Sequence, residues 1–277
     1  MTIKFYPHIY LSPHYDDASL SCGGAIHQQT EMGQGVLVAT IFAAPPTSGE
    51  PLSTYAENMH QAWGNPADVI AVRQAEDRDS LAVLGADYLR LNFNDCIYRG
   101  HPERGQWFYN NDSELFGAIH PDDESLIPRL VAALLELIPY EAETTVYAPL
   151  SVGHHVDHQL VHAAAWELRR QGWPIAFYED YPYADPGSRF AAAGWSQYAL
   201  APTLAAQQAA RLQPHLRFLS EENLQAKLNS IRAYRSQLET LFGSEAAMTQ
   251  QLRHYALRVG QGRLAERVWV PGQTLEG

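Results

Sequence analysis

Hydrophobic and polar positions along this chain switch repeatedly between two periods. A short apolar run, HIYLSP (8–13), gives way to ASLSCGGAIHQQTEMG (18–33), which predicts a helix ending at Gly33. GVLVATIFA (35–43) is continuous, apolar and β-branched, as expected for a strand buried on both faces. A loop, PPTSGEPLSTY (45–55), precedes a helical spacing over PADVIAVRQAEDRDSLAVLG (66–85) and a strand in ADYLRLNFND (86–95). The alternation then repeats. DDESLIPRLVAALLELI (122–138) and DHQLVHAAAWELRRQG (157–172) predict helices, and TTVYAPL (144–150) and PIAFYED (174–180) predict strands.

Alternation of this kind predicts an α/β, Rossmann-like fold: a mainly parallel sheet with helices on both faces, carrying its ligands beyond the carboxyl ends of the strands. The last third predicts a helix then a strand in TLAAQQAARLQPHLRF (203–218), one long amphipathic helix over 221–242, and a closing strand in ERVWVPG (266–272). No repeat or low-complexity linker interrupts the chain. We therefore expect a single domain over 1–277, its core at about 8–240 and a C-terminal helix and closing strand within 221–277. The one long irregular insertion, DCIYRGHPERGQWFYNNDSELFG (95–117), is rich in aromatic residues and glycine and is a candidate functional loop.

Composition narrows the function. The chain has 277 residues, 46% hydrophobic, with 31 acidic residues against 19 lysines and arginines and a net charge of −12. With no basic block, binding to a nucleic-acid backbone is not expected. Two cysteines, Cys22 and Cys96, are too few for a disulfide scaffold or a cysteine zinc cage and fit a reducing compartment as buried apolar residues. The N-terminal stretch lacks a signal-peptide pattern, and no segment reaches about 18 uninterrupted apolar residues. A soluble, cytoplasmic protein with no membrane span is the expectation.

The chemistry concentrates at two predicted strand ends. His14, Asp16 and Asp17 follow the first strand, and His155, Asp157 and His158 follow TTVYAPL. In a parallel sheet both groups open onto one edge. Two histidines and one carboxylate suffice for a hydrolytic zinc with an open position for water, and the two segments supply that set with acidic groups to spare. Of the adjacent aspartates, one can ligate while the other faces the water as general base. His155 and His158 are three apart, so at a helix start they share a face. Taken alone, either segment is also readable as an ordinary polar helix start, with Asp157 near the positive end of the dipole.

SPHYDD followed by CGG, and later GHHVDH, resembles the LmbE/PIG-L family of zinc-dependent N-deacetylases, usually written H-P-D-D-E with a glycine pair and a later H-P-D-H. The resemblance continues in RQAEDRDSLAVLGAD, in Asp95 after the next strand, and in KLNSIRAYRSQ, spanning Ile9 to about Gln237. It implies that His14, Asp17 and His158 hold Zn2+ and that Asp16 is the general base. It further implies that His155 polarises the carbonyl and assists the leaving amine while Asp157 tunes His155. Arg73 and Asp95 fall where the family contacts substrate; for Arg73 the alternative is a helix-surface charge paired with Glu76 or Asp77.

Three positions depart from the family. Tyr15 and Val156 stand where proline is usual, implying a loss of turn stiffness only. Ala18 stands where glutamate is usual, implying a lost supporting hydrogen bond. A better-spelled HPDDE, His120 to Glu124, has no strand before it and no glycine pair after it, so it reads as the acidic cap of the following helix.

The reaction implied is hydrolysis of an acetyl amide on an N-acetylglucosamine-type sugar or sugar conjugate. Tyr98, Trp107, Phe108 and Tyr109 offer ring faces to a sugar, or form a hydrophobic lid or subunit contact that leaves a homo-oligomer open. Two alternatives stand beside it: a non-haem iron oxygenase, which uses the same two-histidine, one-carboxylate set, and a non-catalytic carbohydrate-binding relative.

Overall fold

The computed structural model describes residues 5–64, 67–138, 143–192, 197, 199–207 and 211–272. Nine strands occur among them: β1 (His8–Ser12), β2 (Val36–Thr40), β3 (Asp87–Arg90), β4 (Gly100–His101), β5 (Gln106–Trp107), β6 (Thr145–Pro149), β7 (Ile175–Tyr178), β8 (Gln213–Phe218) and β9 (Ala265–Val270). The helices are α1 (Asp17–Glu31), α2 (Thr54–Ala62), α3 (Val69–Leu84), α4 (Asp112–Leu115), α5 (Leu126–Leu137), α6 (Val156–Arg170), α7 (Arg189–Ala192), α8 (Leu200–Ala206), α9 (Glu221–Ile231), α10 (Arg235–Phe242) and α11 (Glu245–Val259).

Seven strands form one sheet in the order β3-β2-β1-β6-β7-β9-β8, and β4 with β5 forms a separate hairpin in the long insertion. The first five are parallel; β9 runs antiparallel to β7 and β8. This is the expected mainly parallel α/β sheet. Its two faces follow from the two-residue period of the strands. Ile9, Leu11, Leu37, Ala39 and Val146 pack with Leu130 and Leu134 of α5 and Leu160 and Val161 of α6. Tyr10, Val36, Val38 and Tyr147 point the other way, against Cys22 and Ile26 of α1 and Leu81 and Leu84 of α3.

The order matters for function because the chain winds outward from β1 through β2 to β3, then returns to place β6 on the other side of β1. The β1/β6 junction is thus the switch point, where connections leave in opposite directions and a crevice opens beyond the carboxyl ends. Both polar motifs sit there.

The glycine pair after the first motif has a packing cause. A Cβ at Gly24 would stand 2.5 Å from Leu219 Cδ1 and 3.1 Å from Glu266 Oε1, and one at Gly23 would stand 3.0 Å from Lys227 Cγ. The amides of Gly24 and Ala25 donate to Glu266 at 3.1 and 2.8 Å, and Lys227 pairs with the same carboxylate at 2.6 Å. Gly23 thus lets α1 approach α9, and Gly24 lets it approach Leu219 and, in β9, Glu266. Gly24→Val is expected to cost about 1–3 kcal/mol of stability by overpacking, read as a lower urea midpoint at unchanged slope.

The single long helix expected over 221–242 is two, α9 and α10, with a break at 232–234. No glycine or proline marks the break. Tyr234 leaves helical geometry at φ −80°, ψ 62° and buries its side chain, whose hydroxyl donates to the Tyr15 carbonyl at 2.7 Å. A tertiary hydrogen bond thus overrides the helical pattern. α2 begins inside the segment expected as loop, and its only buried residue is Ala56, too little to register as an apolar stripe. α11, for which the pattern raised no expectation, buries Met248, Leu252, Ala256 and Val259.

Candidate metal centre and active site

The turn after β1 is held from several sides. Ser12 Oγ donates to the His14 carbonyl at 2.6 Å and accepts from the Ala18 amide at 3.0 Å. Asp16 is the N-cap residue of α1 yet its side chain makes no capping bond, which leaves the carboxylate facing the crevice. Tyr15 does more than replace a stiff proline. Its hydroxyl donates to the Ala43 carbonyl at 2.8 Å, and its ring lies 5.2 Å from the Arg73 guanidinium, so tethering supplies the stiffness and the residue touches the site. Ala18 is buried in the apolar cluster of Tyr10, Cys22 and Ile26, where a carboxylate would be desolvated.

The second segment leaves β6 through a turn with left-handed backbone at Ser151, Gly153 and His154. A Cβ at Gly153 would come within 2.4 Å of Tyr183 Cγ, so the tight turn needs glycine there. The turn delivers His155 as N-cap of α6, with its Nδ1 accepting the Asp157 amide at 3.2 Å. His155 therefore carries its proton on Nε2 when neutral.

The geometry brings the two segments together. Asp17 Oδ2 lies 3.1 Å from His14 Nδ1 and 3.3 Å from His158 Nε2, and the three donors sit within 4.8 Å of one another. Each histidine has a carboxylate on its other nitrogen: Asp157 Oδ2 at 2.9 Å from His14 Nε2, and Asp180 Oδ1 at 2.6 Å from His158 Nδ1. Such pairs fix the orientation and basicity of histidines that hold a metal. Two other donor groupings, His14/His155/Asp157 and Asp95/Cys96/Asp157, both draw on Asp157. Asp157 is already engaged by Arg99 at 2.6 Å, the Cys96 amide at 3.0 Å and His14. His14, Asp17 and His158 are the set that fits a divalent ion.

Asp157 does more than its expected part: beside favouring the protonated form of His155 by its charge, it serves two further groups. Its carboxylate reaches His14 and Arg99, and only its backbone amide reaches His155.

Charge supports the fit. Asp16, Asp17, Asp95, Asp157 and Asp180 are all buried here, against two buried arginines, Arg73 and Arg99. The excess of negative charge shows in the proton affinities. Although burial opposes it, Asp17 and Asp180 lift His158 to about 9, and Asp95, Asp157 and Asp17 raise His14 well above the usual imidazole range. Burial works against ionisation of Asp17 too, yet His158 and His14 hold its carboxyl well below the usual range. Two imidazoles set among this many buried carboxylates lie in a field that favours a cation. His155 behaves oppositely: burial, then the charge of His14 and His158, pushes it well below the usual value. Burial and the neighbouring Asp17 raise Asp16, against the pull of Arg73.

A cavity of about 410 Å³ opens over these groups, lined by His14, Asp16, Asp17, Arg73, Asp95 and His155 among others. A larger and mostly apolar cavity of about 740 Å³ adjoins it at Tyr183 and Phe190 but contains none of the candidate residues. The chemistry belongs to the smaller one.

Arg73 is not a surface charge. It is buried, with Nη2 3.7 Å from Asp16 Oδ1 and its guanidinium 4.6 Å from the Trp63 ring, while Glu76 accepts from Ser236 and Asp77 pairs with Arg90. Asp95 Oδ2 lies 3.8 Å from His14 Nε2. Of the insertion's aromatics, Tyr98, Trp107, Phe108 and Tyr109 do not line this cavity, whereas Phe116 does. Tyr98 hydrogen-bonds His60 at 2.6 Å, Phe108 stacks on His120 at 4.2 Å, and Tyr109 is buried. The aromatic walls are Tyr55, Trp63, Phe116, Tyr183 and Phe190.

The HPDDE look-alike is not the acidic cap expected for the following helix: α5 begins at Leu126 with Ser125 as N-cap and no acidic residue in its first turn, and His120 Nδ1 caps instead a short 3-10 turn at Pro121–Asp123. Capping is only part of its role, because Asp123 is buried and takes hydrogen bonds from Arg99 Nε and the Tyr109 hydroxyl, both at 2.8 Å. Asp180, Arg99 and Asp123 are three supporting residues that motif reading misses. Asp180 had a usable signal, an acidic residue just past the carboxyl end of a buried strand.

A parallel α/β sheet with a histidine–carboxylate donor set at its switch point, walled by a cavity holding a further carboxylate and imidazole, is an arrangement suited to metal-assisted hydrolysis. Residues 9–168, more than half of the chain, match the family described as PIG-L: GlcNAc-PI de-N-acetylase, and the chain belongs to that family. It is accordingly an N-deacetylase, a hydrolase of amide carbon–nitrogen bonds.

The chain is 28% identical over 249 residues to a 2'-N-acetylparomamine deacetylase of Niallia circulans, covering 86% of this chain and 83% of that one. A 2'-N-acetylparomamine deacetylase of Streptomyces fradiae is 31% identical over 186 residues, 64% of this chain and 57% of the relative. Among solved structures, the zinc-inhibited form of teicoplanin deacetylase Orf2 superposes with a TM-score of 0.78 at 25% identity, over 98% of this chain and 99% of that one. The A40926 pseudoaglycone deacetylase Dbv21 gives a TM-score of 0.70 at 27% identity, over 95% and 96%.

Proposed function

We propose that this chain removes the acetyl group from the amide nitrogen of an N-acetylglucosamine-type sugar or sugar conjugate, with Zn2+ held by His14, Asp17 and His158. The observation that carries the reading is Asp17 Oδ2 standing between His14 Nδ1 and His158 Nε2, with Asp16 and His155 on the wall of the same cavity. When bound, zinc in such a set lowers the pKa of a water and polarises a carbonyl.

The protein's own groups supply the rest. Asp16 accepts a proton from the attacking water, and its raised proton affinity suits a base. His155, with Nδ1 engaged by an amide, points Nε2–H at the carbonyl oxygen as negative charge develops. The proton taken by Asp16 leaves on the departing nitrogen as the carbon–nitrogen bond breaks. Acetate and a free amine result. Arg73 and Asp95 contact the substrate from the cavity wall.

Relatives named for deacetylating 2'-N-acetylparomamine and teicoplanin support a sugar conjugate over a simple amide. Family membership also argues for hydrolysis over iron-dependent oxygenation, though the donor set serves both. No helix among the described residues is long and apolar enough to cross a membrane.

The test is acetate release over a panel of N-acetylated aminosugars, sugar conjugates and chitooligosaccharides with zinc present. Acetate and amine in equal amounts from at least one sugar conjugate is the expected result. No acetate from any N-acetyl sugar would contradict the substrate class.

A further inference from the structure

His14 is the most elaborately supported of the three donors, and its support runs further than one carboxylate. Behind its Nε2 stands Asp157 Oδ2 at 2.9 Å; the same oxygen accepts the Cys96 amide at 3.0 Å. The other oxygen, Oδ1, lies 2.6 Å from Arg99 Nη1. Arg99 is fixed in turn: Nε donates to Asp123 Oδ2 at 2.8 Å and Nη1 donates to the Asn94 carbonyl at 2.9 Å. Its guanidinium lies 5.0 Å from the Phe42 ring and 5.6 Å from the Tyr109 ring, and the Tyr109 hydroxyl donates to Asp123 as well. Asp123, Arg99 and Asp157 are all buried.

A buried carboxylate left without a counter-charge is strongly unfavourable, so something must neutralise Asp157 and keep it in place. Arg99 does both, and a guanidinium gripped by Asp123 has a fixed direction. We propose that Arg99 and Asp123 are positioning residues for the metal site: the line Asp123–Arg99–Asp157–His14 sets the orientation of the His14 ring and so the affinity for zinc. The second HPDD string, from outside the catalytic cavity, thereby anchors the first. The proposal rests on the reading of His14 as a metal ligand.

The experiment measures zinc affinity of the full-length apo-protein by competition with a chromophoric chelator, for Arg99→Met, Asp123→Asn, Asp157→Asn and the double variant Arg99→Met/Asp157→Asn. Asp123→Asn and Arg99→Met are each expected to weaken zinc roughly tenfold, the lower end for residues behind a ligand. In the Asp157→Asn background, Arg99→Met is expected to change affinity less than twofold. At saturating zinc, KM for an N-acetylated substrate should stay unchanged. Wild-type zinc affinity in Asp123→Asn overturns the proposal, as does an Arg99→Met effect of equal size with and without Asp157. If Arg99→Met does not fold, the near-isosteric Asp123→Asn decides alone. His14→Ala separates the two readings: if it keeps wild-type zinc affinity the metal assignment fails, whereas if it loses zinc and Asp123→Asn does not, only the relay fails.

Discussion

Asp16→Ala is expected to keep zinc at one equivalent per chain and to lose roughly 10²–10⁴-fold in kcat, the usual worth of a positioned general base. The argument is geometric. Asp16 is adjacent to Asp17 in sequence, but it does not share the short contacts to His14 and His158, and its side chain is not spent on capping α1. What it has instead is a buried place in the cavity wall with the Arg73 guanidinium 3.7 Å away. Because truncation strips a buried guanidinium of that carboxylate, Asp16→Asn serves as the size-matched control and is expected to show the same loss. Single-turnover acetate release with parallel metal analysis reads both quantities. A near-wild-type rate in either variant would sink the assignment of Asp16 as base.

The second large effect is on metal retention. His158→Ala is expected to abolish stoichiometric zinc binding and, with it, acetate release, because the remaining pair, His14 and Asp17, leaves the ion two protein ligands. The variant also strands Asp180, buried and 2.6 Å from the lost imidazole. Stability of the metal-free variant should therefore fall as well, by about 1–3 kcal/mol for an unsatisfied buried acceptor. Inductively measured zinc content after gel filtration, set beside a denaturation midpoint, separates the two effects. Full zinc occupancy in His158→Ala would contradict the ligand set.

How much of this was legible in advance depends on the range of the interaction. β1, β2, α1 and α3 announce themselves because their apolar residues recur at one period over a whole element, as in Val36–Thr40 and Leu81 with Leu84. The placement of His14, Asp16 and Asp17 opposite His155 and His158 follows from one rule about parallel sheets, applied to two strand ends. Asp157 shows where that reasoning stops. Its adjacency in sequence pairs it with His155, while the fold turns its carboxylate toward His14, 143 residues away.

Arg99 was invisible for the same reason, since nothing local distinguishes an arginine in an aromatic loop from a solvated one, and Asp123 stood in a string read as a helix cap while the fold pairs it with Arg99. The break between α9 and α10 depends on a hydroxyl of Tyr234 meeting a carbonyl at Tyr15, a contact spanning 219 residues. The two glycines of CGG were legible as a motif, yet their cause, the approach of Leu219, Lys227 and Glu266 to α1, lies entirely in the tertiary packing. Of the two readings open for the insertion aromatics, the sugar-facing one depended on contacts the local pattern does not show: Tyr98 and Tyr109 spend their hydroxyls on His60 and Asp123, and Phe108 stacks on His120.

The central claim is that one metal ion, held by His14, Asp17 and His158, makes this family member a hydrolase of N-acetyl groups. Its most direct test is a zinc titration of chelator-stripped protein, followed by acetate release from an N-acetylated sugar conjugate. A related teicoplanin deacetylase exists in a zinc-inhibited form, so zinc is added in steps through equivalence. The predicted result is no acetate from the stripped protein and activity that reaches its maximum at one zinc per chain. Undiminished acetate release from protein shown to be metal-free would contradict it.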